Sequence, residues 1–308
     1  MSVKKCIVPC TVTAVILAAA AHAARRPGEP LRPGFNLFSK EQDMQLGDAN
    51  AKQVTAQYPV TDNQFLQDYV RRVGNRLAAA PEARQSGFEF HFTVLNVNDL
   101  NAFALPGGPM FIYSGLLKAC DNEAQLAGVM GHEMSHVILR HGTHEASKAN
   151  LIELPVLLAG SLMGNDTVTG KLARMGLGLG ANSFILKFSR DAESEADALG
   201  SHLMSEAGYD PVQMARFFEK LAGGPHPPQL LSDHPNPGNR ERAIRAEMQT
   251  LPARCYETGE FQRMSQRLRP SASAQAYPQP IAPEPNVRAN LDLPCPIPSL
   301  LRFPDGAF

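Results

Sequence analysis

The chain has 308 residues, 44% hydrophobic and 19% charged, with no Trp and a formal net charge of −1. So neutral a balance excludes the broad basic surface that nucleic acid requires, and the apolar fraction suits a globular protein with one sizeable core. No internal repeat is visible.

Residues 1–23 read as an export signal. Lys4 and Lys5 supply the charged start, Val12 to Ala20 the apolar core, and Ala21-His22-Ala23 a small-x-small cleavage site, so the mature chain is expected to begin at Ala24 in the periplasm or another exported compartment. The apolar core is shorter than the ~18 residues of a membrane span. Cys6 and Cys10 lie before or at the edge of that core, so no lipoprotein-type anchor is expected. Of the remaining cysteines, Cys255 and Cys295 are the expected disulfide pair, and Cys120 a buried small apolar residue. Residues 24–268 are expected to form one domain, followed by a Pro-rich, poorly ordered tail over 269–308.

Ser39 to Gln42 is a capping box that opens a helix to about Gln57, and Asp62 is expected to cap a second helix through Ala79. Phe65, Leu66, Tyr69, Val70, Val73 and Leu77 give that helix an apolar face. Phe88 to Val94 alternates as a half-buried strand with His91 on its solvent side. Ala102, Phe103, Ala104 and Leu105 form a short apolar strand that runs into Pro106, Gly107 and Gly108, a turn, and the chain returns over Met110 to Tyr113. Pro106 places the first of these strands at a sheet edge, where free N–H and C=O groups can hold an extended peptide as an added strand.

His132-Glu133-Met134-Ser135-His136 carries the most specific chemistry. On a helix capped by Asp121 or Asn122 and ended by Gly142, the two histidines share one face and can bind one metal ion. Glu133 then lies beside the metal, where a general base takes a proton from water. His141 and His144 read as polar residues at the C-terminal end of that helix. Two apolar stretches over 151–164 and 171–188 read as core or lid helices, with contact to a membrane surface as the alternative. Ser189 then opens a helix to Ala207, closed by Gly208, on which Glu193 and Asp197 are four apart. Glu193 can complete a His-His-Glu set, and Asp197 can bond the other nitrogen of a ligand histidine. Glu195 points elsewhere on this helix, into solvent. Asp210-Pro211 starts a further helix through Leu221.

Four segments occur in order: Asn101-Ala102-Phe103-Ala104-Leu105-Pro106-Gly107-Gly108, His132 to His136, Ser189 to Gly200, and Asp233-His234-Pro235. Together they resemble the gluzincin zinc metallopeptidases that include HtpX, the CAAX prenyl endopeptidases, BepA and LoiP, over roughly 38–250, and the exported, soluble subgroup above all. The resemblance implies one Zn²⁺ held by His132, His136 and Glu193, with Glu133 as catalytic base and Asp197 behind a ligand. It implies for His234 either a fourth ligand that keeps the enzyme latent or a donor to the tetrahedral intermediate. For Arg240 it implies a site that binds substrate carbonyls or carboxylates. The expected fold is α+β, mainly helical, with a small sheet whose edge strand borders the active site. The expected activity is zinc-dependent endopeptidase action on misfolded or unassembled envelope proteins, with outer-membrane assembly machinery as a partner. The alternative is a mostly latent zinc-bound chaperone.

Overall fold

A computed structural model describes residues 25–149, 188–224, 228–236, 238–252, 261 and 264. The export signal, the two apolar stretches up to residue 187, the Cys255–Cys295 pair and the Pro-rich tail lie outside the described residues. So do His226 and its neighbours 225 and 227.

Helix α1 spans Lys40–Gln57, and its capping box forms as the sequence predicts, Ser39 and Gln42 bonding each other's backbone N–H. Helix α2 spans Gln64–Ala78, with the apolar face buried. Its cap is Asn63, whose side chain accepts from the Leu66 amide; Asp62 falls one residue outside. A short helix α3, Pro81–Ser86, follows, with Pro81 where its missing N–H costs nothing and Gly87 left-handed at its end.

Strand β1 is His91–Leu95, three residues later than the alternation suggests, and His91 is exposed. Strands β2 (Ala102–Ala104) and β3 (Pro109–Tyr113) complete a three-stranded sheet in the order β1-β3-β2. Strand β3 pairs parallel with β1 and antiparallel with β2, so β2 is an edge strand, as expected. Leu105 N–H bonds the Pro109 carbonyl, and Tyr113 N–H bonds the Asn101 carbonyl. By antiparallel alternation, Phe103 also faces β3, and the backbone groups of Ala102 and Ala104 point outward. Helix α4, Ser114–Ala119, leads to Cys120, which is buried with a free thiol, its pKa pushed up by burial.

Helix α5, Glu123–Ile138, carries the His-Glu-x-x-His segment, and all its residues are buried. Asn122 is its cap, accepting from the Gln125 amide at 3.0 Å. The helix ends four residues before Gly142. Arg140 adopts a left-handed φ of 58°, with its guanidinium bonded to Asp43 and to the Phe38 carbonyl, and helical backbone resumes over 141–149. Helices α6 (Arg190–Glu206), α7 (Val212–Ala222), α8 (Gln229–Asp233) and α9 (Arg240–Met248) follow.

Helix α5 packs against α2, α6, α7 and the edge strand β2. Its most extensive contact is with α6, where a Cβ on Gly200 would sit 3.2 Å from the His132 nitrogen. Gly200 and Gly131 thereby let two backbones meet and bring the histidines and acids within reach of each other. No helix among the described residues is long and apolar enough to cross a membrane.

Candidate metal centre

The site lies where α5, α6, β2 and the end of α8 converge. His132 and His136 come from α5, Glu193 and Asp197 from α6, and His234 caps α8. All five are buried. His132 Nε2 lies 3.1 Å from His136 Nε2 and 3.3 Å from Glu193 Oε2. His136 Nε2 lies 3.4 Å from Glu193 Oε1. His234 Nδ1 lies 3.0 Å from Glu193 Oε1 and 3.3 Å from His132 Nε2. One ligand atom from each of these four residues falls within 4.8 Å of the others.

These separations test whether a zinc ion fits. Bonds of 2.0–2.1 Å in a tetrahedron place neighbouring ligand atoms roughly 3.3 Å apart, the spacing seen here. The far nitrogen of each α5 histidine is engaged elsewhere: His132 Nδ1 by Asp197 Oδ1 at 3.0 Å, His136 Nδ1 by His141 Nδ1 at 2.9 Å. The two Nε2 atoms therefore face each other at a spacing that a shared cation fits.

The electrostatics agree. Burial alone would push the Glu193 carboxyl up, but His132, His136 and His234 hold it well below the usual carboxylate range. Burial pulls His132 down, yet Glu193 and Asp197 raise it to about 9. Burial wins at His136, which is pulled well below its ordinary value. Glu193 and then Asp197 raise His132, whereas His136 has Glu193 alone to raise it and is lowered further by His132 and then His141.

Glu133 occupies the position expected of a base. Its Oε2 accepts the Ala104 amide of the edge strand at 3.3 Å. Its Oε1 is buried without a hydrogen bond; His234 Nε2 is 3.2 Å away but poorly aligned for one. Burial pushes the Glu133 carboxyl up.

Other sequence-predicted residues make contacts of their own. Arg240 is buried, its Nε bonded to Asp197 Oδ2 at 2.7 Å and its Nη2 to Glu193 Oε2 at 3.3 Å, over the Phe218 ring. Its charge is engaged by the cluster's own acids. Gly107 and Gly108 form the turn at φ 85° and 128°, buried against the backbones of Met44 and Glu89, and Leu105 sits in the core with Val54 and Phe111. The backbone groups of this segment that turn away from β3 are thus those of Ala102 and Ala104.

His141 is not a solvated end-of-helix residue. It is buried, bonded to His136, and its Nε2 lies 3.1 Å from Glu195 Oε2, so Glu195 also has a partner. A continuous helix would turn residue 141 roughly 140° away from residue 136. The break at Arg140 brings it back, and helical spacing carries no sign of that. Phe188 was likewise missed; its ring stacks on His136 at 4.0 Å. His144 stands apart, bonded to the Phe35 carbonyl.

Comparison with known proteins gives a consistent result. The family model described as Peptidase family M48 matches residues 65–248. The chain is 32% identical over 244 residues to the beta-barrel assembly-enhancing protease of Yersinia pestis, covering 74% of this chain and 49% of that one. It is 33% identical over 220 residues to the protein of the same name from Escherichia coli (strain K12), covering 67% and 43%. It is 31% identical over 223 residues to the mitochondrial metalloendopeptidase OMA1 of Schizosaccharomyces pombe, covering 69% and 63%. The chain thus spans about half the length of the two bacterial relatives.

Proposed function

Since the chain belongs to peptidase family M48, we propose that it is a zinc-dependent endopeptidase acting on misfolded or unassembled cell-envelope proteins. The observation that carries this reading is Glu133. One of its oxygens is fixed by the edge strand, and the other is buried, free of a hydrogen bond, and beside four converging ligand atoms.

Zinc held by His132, His136 and Glu193 would supply the Lewis acidity that polarises the scissile carbonyl and acidifies the attacking water. Glu133 moves the proton. The Ala104 amide holds Oε2, leaving Oε1 to take a proton from water as its oxygen bonds to the carbonyl carbon. Glu133 then gives that proton to the amine nitrogen as the C–N bond breaks. Burial raises the carboxyl and so makes it a stronger base than a surface glutamate. The substrate is expected to lie along β2 as an added strand, with the Ala104 N–H kept by Glu133. Asp197 orients His132, and Arg240 ties Asp197 to Glu193 so that both carboxylates keep their places.

His234 is read as a latch. Its Nδ1 takes a corner of the ligand cluster and its Nε2 faces the free oxygen of Glu133, so it covers both places an attacking water needs. That same contact favours a second reading, a mostly latent zinc-bound chaperone. By likeness to relatives named for assembly of beta-barrels, the proposed substrates are outer-membrane proteins stalled before assembly, and the proposed partner is the assembly machinery. The proposed catalytic unit is residues 24–268.

Casein cleavage by Glu133→Gln tests the reading. It should fall by about 100-fold or more with zinc retained. Wild-type turnover in that variant contradicts the peptidase assignment. A variant that loses turnover and still supports envelope assembly in cells favours the chaperone.

A further inference from the structure

We propose that His141 and Glu195 are positioning residues that fix the tautomer of His136, leaving its Nε2 free to coordinate the metal. The inference rests on the metallopeptidase reading. It follows from the hydrogen-bond polarity of three side chains in a row.

The ionised carboxylate of Glu195 only accepts, so the proton in its 3.1 Å contact belongs to His141 Nε2. Between His141 Nδ1 and His136 Nδ1, 2.9 Å apart, one nitrogen donates and the other accepts. If His141 donated there as well, His136 would have to carry its proton on Nε2, the atom turned towards His132 and Glu193, and could not be a ligand. If His141 Nδ1 accepts instead, the row resolves in one direction. His136 Nδ1–H donates to His141, His141 Nε2–H donates to Glu195, and His136 Nε2 keeps its lone pair for the metal.

His132 reaches the same state in one step through Asp197. His136 needs two steps because its outer acid stands beyond the His141 ring. Phe188 stacked on His136 at 4.0 Å holds the ring in the plane this contact requires. The Glu195 side chain is 43% exposed, so the row begins in solvent and ends at the ligand.

Zinc affinity measured by competition with a chelator tests the proposal. Residues placed behind a ligand histidine are typically worth 10–100-fold in metal affinity, and His141→Ala should lose about that much. Glu195→Ala should lose part of it. His141→Gln, whose amide can both accept from His136 and donate to Glu195, should recover most of the loss. His144→Ala, three residues along and bonded to Phe35, should change nothing. In the zinc-loaded wild type, a long-range ¹⁵N–¹H spectrum should show the proton on Nε2 of His141 and on Nδ1 of His136. This spectrum and Glu195→Ala decide the matter should His141→Ala not fold. An affinity for His141→Ala within about twofold of wild type, or a proton on His141 Nδ1, overturns the proposal. A wild-type chain that binds no zinc sinks the metallopeptidase reading instead, so the two failures are distinct.

Discussion

An imidazole coordinates only through a nitrogen without a proton, so the group behind each ring decides whether it is a ligand. His132 has Asp197 behind it, His136 has His141, and Arg240 ties Asp197 to Glu193. His234 differs because both its nitrogens point inward, one to Glu193 and one towards Glu133. Replacing it by Ala removes the group that covers the base. The latch reading predicts that His234→Ala raises casein turnover several-fold under conditions where wild type is slow. A fall in turnover would make His234 a donor to the tetrahedral intermediate, and no change would discard both roles. At this scale the sequence was legible wherever two residues are four apart on one helix: His132 with His136, and Glu193 with Asp197. It was silent on His141 and Glu195, whose meeting depends on a left-handed Arg140 and on the contact of two helices. Arg240 was found, but its neighbours in space, which direct it to Asp197 and Glu193, come from other helices.

Among the elements, α5 is buried on every side and cannot move without moving the site. Its neighbour β2 is positioned in turn by the Pro106-Gly107-Gly108 turn, against which α1 packs. A Cβ on Gly47 of α1 would come 1.9 Å from the Pro106 carbonyl oxygen, so one of the two must shift. Gly47→Ala gains about 1 kcal/mol of helix propensity, yet overpacking of this kind typically costs about 1–3 kcal/mol. It should lower stability in urea titration and, by displacing β2 from Glu133, lower peptide turnover as well. Equal stability and turnover would show that β2 is not set by α1. The long helices were legible from caps and apolar faces, Ser39 with Gln42 at α1 being the clearest case. The short ones were not. Six residues, as in α3 and α4, give too few turns for an apolar period to show, although Pro81 and Gly87 bracket α3.

Across the whole molecule, the described start of the chain is tied to its later helices. Arg25 grips Glu247 of α9 through both terminal nitrogens at 2.9 and 2.8 Å, and His202 of α6 bonds Glu247 at 2.7 Å and lies 3.5 Å from Glu82 of α3. Burial pulls His202 down, but Glu247 and Glu82 raise it from 6.5 to about 9. Burial pushes Glu247 up, but Arg25 and His202 lower it from 4.5 to about 2. A raised histidine stabilises fully below its unfolded value and loses that contribution as pH rises through its folded one. A lowered carboxylate stabilises above its unfolded value and loses the contribution as pH falls. The contribution of this cluster to thermal stability should therefore be flat between pH 4.5 and 6.5 and decline towards 9. His202→Gln should remove part of the alkaline decline; an unchanged profile would contradict the linkage. For the site, the fold must join His132 to Glu193 and Asp197, the latter 65 positions away in sequence, across the α5–α6 contact. The zinc content of purified protein, counted per chain, tests that most directly. Wild type and Glu133→Gln should each hold one zinc, and Glu193→Ala should hold almost none after dialysis against a chelator that leaves wild type loaded. Full zinc retention by Glu193→Ala would contradict the account.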